Sequence, residues 1–219
     1  MQYGVELGVC MSRVGMQQAT DTKRLEHLWS GEFGVRYTDR NRQVNAETGN
    51  FHHSLCTQLG ARRVLEVGCN IGLNLTKMAA ESHFDVWGVD LNGYAIAGAK
   101  RCLPNARFAL ASAYSLPFGD GAFDLTFTSG VLIHIPPHSL ERVMTEIHRT
   151  SRKWICCCEY YSAEVIEVPY RGEKGALYKS DFGRLFFECF PGLKLVEKGF
   201  LAKETTGFDN LTFWIFEKG

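Results

Sequence analysis

The feature that most narrows this chain is an apolar strand running directly into a glycine turn, Val64-Leu65-Glu66-Val67-Gly68-Cys69-Asn70-Ile71-Gly72. Glycine takes positive φ and lets a ligand approach the backbone where a Cβ would collide. In an open α/β sheet such a turn sits at the carboxyl end of a strand, where ligands bind. The plainer alternative is a tight turn that only closes a helix onto its strand.

Strands and helices alternate from this turn onward. Arg63–Val67 is the first strand and Leu73–Ser82 its helix; Val86–Val89, Tyr94–Cys102 and Ala106–Leu110 continue the pattern. Phe123–Thr128 is a fourth strand, Ser139–Thr150 a helix and Lys153–Cys158 a fifth, buried strand. After a helix at Asp181–Phe190, Leu193–Phe200 and Asn210–Phe216 read as a closing antiparallel pair around a polar loop with Gly207. Such alternation predicts an α/β fold, doubly wound, with helices on both faces of a parallel sheet. With 219 residues, one core suffices, since cores grow to roughly 250 residues before splitting.

Ahead of the sheet, Thr20–Ser30 reads as a helix, Gly31–Asn45 lacks clear periodicity, and Val44–Leu59 reads as a helix stopped by Gly60. Met1–Thr20 has weak periodicity and reads as a loose extension. Residues 1–60 are therefore expected to form an N-terminal extension and helical lid, joined in one structural unit to a ligand-binding domain at 61–219.

Composition removes several classes. Lys+Arg and Asp+Glu both number 24, against the basic excess of a general nucleic-acid binder. No stretch approaches the ~20 apolar residues of a membrane span. Eight cysteines include the run Cys156-Cys157-Cys158, whose neighbours point to opposite faces of a strand, and no C-x-x-C pair or His/Cys grouping has metal-site spacing. No metal site is expected, whereas free, mostly buried thiols and a reducing, cytoplasmic setting are.

Glu66 decides what the turn binds. A dinucleotide fingerprint G-x-G-x-x-G needs glycine two before Gly68, where Glu66 stands. A carboxylate suits a sulfonium or ammonium and opposes a pyrophosphate. Twenty-four positions on (90 − 66), Trp87-Gly88-Val89-Asp90 ends the second strand with an acid that can hold a ribose diol, or else cap the next helix.

These features, with Ala111-Ser112-Ala113-Tyr114 and Phe123-Asp124-Leu125-Thr126-Phe127-Thr128-Ser129-Gly130-Val131, resemble the class I S-adenosylmethionine (SAM)-dependent methyltransferases over roughly Ala61–Cys158. The resemblance implies a Rossmann-like, seven-stranded, mostly parallel sheet whose last strand runs antiparallel. It implies SAM as cofactor and S-adenosylhomocysteine as product. Glu66, Gly68, Cys69, Asn70 and Gly72 would approach the methionine part, and Asp90 with Leu91 the ribose. Ser112 and Ala113 would lie beside the adenine and Ser129, Gly130 and Val131 beneath the cofactor. Many relatives carry Asp where Ser112 stands; a serine hydroxyl accepts the same bond without charge assistance.

The flanks, Leu28–Asn41, Glu159-Tyr160-Tyr161-Ser162 and Val168–Gly183, resemble the pseudaminic acid biosynthesis-associated methylases. Tyr160, Tyr161, Tyr170, Arg171, Tyr178 and Lys179 supply hydroxyls and cations for an anionic, hydroxylated substrate, or else form a polar surface loop. Trp29, Tyr37 and Arg40 suggest a lid over the cofactor, or packing of the N-terminal helix. The function expected is methylation at O or N of a small polar, anionic metabolite, sugar or nucleotide-sugar-like. The alternatives are a protein or RNA methyltransferase and a non-catalytic SAM-binding regulator. A monomer or homodimer without nucleic-acid or membrane partners is expected.

Where the acceptor must lose a proton, a base is commonly worth ~10²–10⁴-fold. His134, directly after the fourth strand, is the first candidate and His138, after Pro136-Pro137, the second. A lone histidine can equally be structural, or only hydrogen-bond the substrate.

Overall fold

The computed structural model describes residue 18, residues 20–42 and residues 48–219. The expectation for Met1–Thr20 falls almost wholly outside them, as does the start of the helix expected at Val44. Helix α1 covers residues 20–30, α2 Glu32–Asn41 and α3 Thr48–Leu59. The sheet strands are β1 Arg63–Val67, β2 Asp85–Asp90, β3 Arg107–Leu110, β4 Phe123–Ser129 and β5 Ser151–Glu159. Between them lie α4 Thr76–Ala79, α5 Gly93–Cys102 and α6 Leu140–Thr150. A two-stranded ribbon, β6 Ile166–Glu167 with β7 Tyr178–Lys179, precedes α7 Phe182–Cys189; β8 Lys194–Leu201, α8 Lys203–Thr206 and β9 Leu211–Glu217 close the chain.

The seven-stranded sheet runs β3-β2-β1-β4-β5-β9-β8. The first five strands are mutually parallel, and β9 is antiparallel to both β5 and β8. The expected antiparallel pair exists, with β9 inserted between β5 and β8. Both faces are covered. Leu65, Val67, Met144, Phe182 and Phe186 belong to one core, while Val64, Leu75, Met78, Ile96 and Phe127 belong to the other. The cysteine run follows the same alternation: Cys157 enters the first core, Cys156 and Cys158 the second. In α6 the buried Leu140, Val143, Met144 and Ile147 form a stripe at helical spacing.

Two readings need correction. Gly31–Asn45 contains a helix, α2, whose buried residues are Phe33, Gly34 and Thr38. One aromatic, one glycine and one threonine leave no apolar periodicity to read. Leu73–Ser82 is not one helix but a 3₁₀ turn, Leu73–Leu75, followed by the short α4. Asn74, in that turn, is drawn back toward β1 by a hydrogen bond to Glu66.

Candidate active site

The carboxyl tips of β1, β2 and β4 open into a cavity of about 590 Å³, roofed by α1 and α2 and by the segments around Tyr170 and Phe208. Pockets of roughly 300–1,000 Å³ hold most small ligands. The glycine turn forms one wall. Its Gly68 and Cys69 amides donate to the Val89 carbonyl at 2.8 and 2.9 Å, which ties the tip of β1 to β2. Gly68 has φ +75°, and a Cβ there would strike the Val131 side chain. Gly72, φ +79°, does not line the cavity; a Cβ there would press on Leu103 and Phe108. Its part is packing the turn against the second core.

Two carboxyl groups stand side by side at the strand tips. Glu66 is 1% exposed, and Asn74 Nδ2 donates to its Oε1 at 2.7 Å, while Oε2 has no hydrogen-bond partner among the described residues. Burial, with the charge of Asp90 adding, pushes its pKa up to about 8 against the opposing Asn74 bond. Asp90 accepts from the amides of Asn70 and Asn92, each at 2.8 Å, and burial raises its pKa despite them. A fully buried carboxyl with one unsatisfied oxygen gains most from a cationic ligand, because the cation offsets the desolvation of the charged form. The site therefore fits a sulfonium–ammonium ligand bearing a diol.

A third carboxyl group organises the loop after β4. Glu159, 0% exposed at the end of β5, accepts from Thr128 Oγ1 at 2.8 Å, Val131 N at 3.2 Å and Ile133 N at 3.3 Å. Ser129, Gly130, Val131 and His134 of this loop all line the cavity. Burial pushes the Glu159 pKa up to about 7 against those bonds. The His134 ring sits 4.3 Å from Trp29 and 5.3 Å from Tyr170, so lid, loop and ribbon meet in one aromatic cluster.

Helix α1 is docked through Asn92, which caps α5 and donates from Nδ2 to the Trp29 carbonyl at 2.8 Å. Gly34 permits the approach: a Cβ there would collide with the Trp29 carbonyl and the Asn92 amide. Tyr37 lines the cavity, and burial, with Tyr170, Tyr160, Asp90 and Asp209 near it, keeps its hydroxyl protonated.

The cavity thus gathers Trp29, Tyr37, Arg40, Glu66, Gly68, Cys69, Asn70, Asp90, Leu91, Ser112, Ala113, Ser129, Gly130, Val131, His134, Tyr160, Tyr170 and Arg171. Gly72, His138, Tyr161, Tyr178 and Lys179 lie outside its lining. His138 follows Pro136-Pro137 away from the cavity, and its Nε2 meets the Gln18 carbonyl at 3.1 Å. Tyr161 is 43% exposed and faces Trp214 and Lys198. Alternation along the chain after β5 separates it from Tyr160. Tyr178 and Lys179 are held in the ribbon by pairing with Glu167 and Ile166.

Sequence reasoning missed Asn74 and Asn92, which orient the acids and the lid, and the Lys203–Asp209 pair, 2.8 Å apart at the rim. The only signal for the pair was a polar loop around Gly207. By contrast, Arg40 and Arg171 line the cavity without an ion-pair partner among the described residues. Among those residues no group of three or more His, Cys, Asp or Glu could hold a metal, and no helix is long and apolar enough to cross a membrane.

Residues 64–153 match the family model described as a methyltransferase domain. Over those residues the chain is similar to the methyltransferase domain family. Solved structures of similar fold hold S-adenosylhomocysteine or SAM. An uncharacterized methyltransferase of Synechocystis sp. is 31% identical over 127 residues, covering 55% of this chain and 59% of that protein. The matched stretches span from about a third to three-fifths of the curated relatives first in similarity. The domain's fold is shared with the Burkholderia thailandensis 1,6-didemethyltoxoflavin-N1-methyltransferase, solved with 1,6-didemethyltoxoflavin and S-adenosylhomocysteine. That likeness has TM-score 0.70 at 18% identity and covers 90% of both chains. Magnesium protoporphyrin IX methyltransferase of Synechocystis PCC 6803 also gives 0.70, at 13% identity, over 90% of this chain and 99% of that one. Identities this low speak to the fold of the methyltransferase domain and not to its acceptor.

Proposed function

We propose that this protein transfers a methyl group from SAM to an oxygen or nitrogen of a small polar, anionic metabolite. The observation that carries the reading is the continuity of the cavity: Glu66 and Asp90 line it together with His134, Tyr160, Tyr170 and Arg171. Donor and acceptor groups share one covered chamber. In the proposed arrangement Glu66 faces the cationic end of the cofactor, Asp90 accepts from the ribose diol, and Ser129–Val131 support it from below.

When bound, SAM supplies the activated methyl group. The protein's own work is then alignment and exclusion of water, and effective molarities of ~10⁵–10⁸ M show how much alignment alone can contribute. The guanidiniums of Arg40 and Arg171, with no ion-pair partner among the described residues, give the rim a positive charge that suits a carboxylate or phosphate. Arg171 takes φ +50° in the tight turn it forms with Gly172, φ +86°, an uncommon backbone for a residue with a side chain. His134 receives the acceptor's proton or orients it by a hydrogen bond.

The finer reading is a sugar or nucleotide-sugar-like acceptor, as the likeness of the flanks to pseudaminic acid biosynthesis-associated methylases suggests. The tyrosines and Arg171 support it chemically. Calorimetry with SAM, followed by a methyl-release assay across anionic sugars and nucleotide sugars, tests both levels. Turnover confined to such acceptors is expected. Binding without turnover on any acceptor would favour a regulatory SAM-binding protein, and no binding would end the reading.

A further inference from the structure

The sheet order β3-β2-β1 sets the strand tips in a row. If the cofactor's cationic end sits by Glu66 on β1 and its diol by Asp90 on β2, its base extends over the tip of β3. This step rests on the SAM reading above. There the chain offers Ala111, Ser112, Ala113 and Tyr114 as lining. Ser112 is the side chain with polar capacity nearest the strand, and its capacity is largely in use. Its Oγ donates to Glu26 Oε1 at 2.5 Å and accepts from the Tyr114 amide at 3.2 Å. Glu26 belongs to α1, 86 residues away in sequence.

Glu26 stands at a junction. A second, more open hollow lined by Glu26, Ser112, Tyr114 and Arg142 shares Ser112 and Tyr114 with the main cavity. Glu26 itself lines only the second hollow, and its carboxylate borders the main cavity through the Ser112 hydroxyl, at the edge where a flat ring passing over Ser112 would end. Oε1 takes the serine hydroxyl, and Oε2 makes no hydrogen bond among the described residues. A carboxylate only accepts, so it favours an N–H donor at that edge and opposes a carbonyl oxygen.

We propose that Glu26 binds the exocyclic amino group of the cofactor's base, with Ser112 holding the carboxylate in place. The lid helix α1 is then part of the nucleobase site rather than only a cover. The base then adds to a contact that α1 and the loop after β3 already make through Glu26 and Ser112. A displaced lid would lose selectivity for the base while leaving the Glu66 and Asp90 contacts in place.

The test is a cycle of protein and ligand changes read by calorimetry. S-adenosylhomocysteine is compared with the same compound carrying hydrogen in place of the amino group, on wild type, Glu26→Ala and Ser112→Ala. Hydrogen bonds to charged groups predict that wild type prefers the amino compound by about ten-fold or more. Glu26→Ala is expected to reduce that preference below two-fold while binding the deamino compound like wild type, and Ser112→Ala to reduce it by a few-fold. Unchanged thermal melting of Glu26→Ala separates loss of a contact from loss of fold, and Glu26→Gln, isosteric, replaces it if melting shifts. An equal preference in wild type and both Glu26 variants would overturn the proposal. Failure of wild type to bind either compound would instead remove the SAM reading on which it rests.

Discussion

The Nδ1 of His134 lies 2.6 Å from the Ala176 carbonyl oxygen, joining the loop after β4 to the segment that carries Tyr170 and Arg171. A carbonyl only accepts, so Nδ1 holds the ring proton and Nε2 keeps its lone pair. Burial pushes the pKa down to about 4 against that bond, leaving the ring neutral at physiological pH. His134→Ala is expected to lower turnover by about 10²-fold or more, within the range of a lost acid–base group, with SAM affinity changed less than two-fold. Rates should show no histidine titration between pH 5.5 and 8. Equal turnover of mutant and wild type at saturating acceptor would remove His134 from the chemistry.

Glu66 should couple cofactor binding to proton release. With its pKa at about 8 in the ligand-free site, the carboxyl is mostly protonated at pH 7, and a cation beside it favours ionisation. SAM affinity is therefore expected to rise with pH up to about 8 and then level off. Calorimetry at pH 7 in buffers of different ionisation enthalpy should detect the released proton, and Glu66→Gln should abolish both effects.

The ligand-free protein should also lose stability as pH rises from about 6.5 to 8. Glu66 and Glu159 have folded pKa values raised to about 8 and about 7 from an ordinary 4.5. The native state then holds protons that the unfolded chain has already released, so this stability is complete below pH 4.5 and lost through the folded pKa values. The depressed His134 and His148 act in the opposite sense, but between about 4 and 6.5. Thermal melting across pH 6.5–8.5 checks this; Glu66→Gln should flatten part of the slope, and a rising melting temperature in that window would contradict it.

Arg171 is expected to control acceptor affinity. Arg171→Ala should raise the KM for an anionic acceptor by about ten-fold or more, as expected for lost charge-assisted bonds, with SAM binding unaffected. Arg171→Lys keeps the charge but not the fork and should fall between. An unchanged KM in both variants would place the anion elsewhere.

Gly68→Ala should damage both the fold and the site. Its φ of +75° alone implies about 1–3 kcal/mol for a residue with a side chain, and the added methyl meets Val131. A lower melting temperature together with weakened SAM binding is expected. Wild-type values for both would mean that the turn relaxes freely.

Much of the fold was legible in the chain because it is local. Strand alternation placed Cys156, Cys157 and Cys158 on opposite faces, and the short path from Glu66 through Gly68 to Asp90 put both acids at neighbouring strand tips. Those relations need only strand geometry and a glycine turn, so the sequence by itself determined the α/β fold and the placing of the glycine turn and both acids at neighbouring strand tips. Helix α2 was not legible, since it buries a glycine and a threonine rather than an apolar stripe. Nor were the roles of the flanks. His138 and Tyr178 carry suitable chemistry but end up outside the cavity, while Lys203, Asp209 and Asn92 reach it from segments with no motif. Which side chains share the chamber depends on how the lid and the β8–β9 loop fold back over the sheet. Those are contacts between residues far apart in the chain, such as Glu26 with Ser112, and only the tertiary structure decides them.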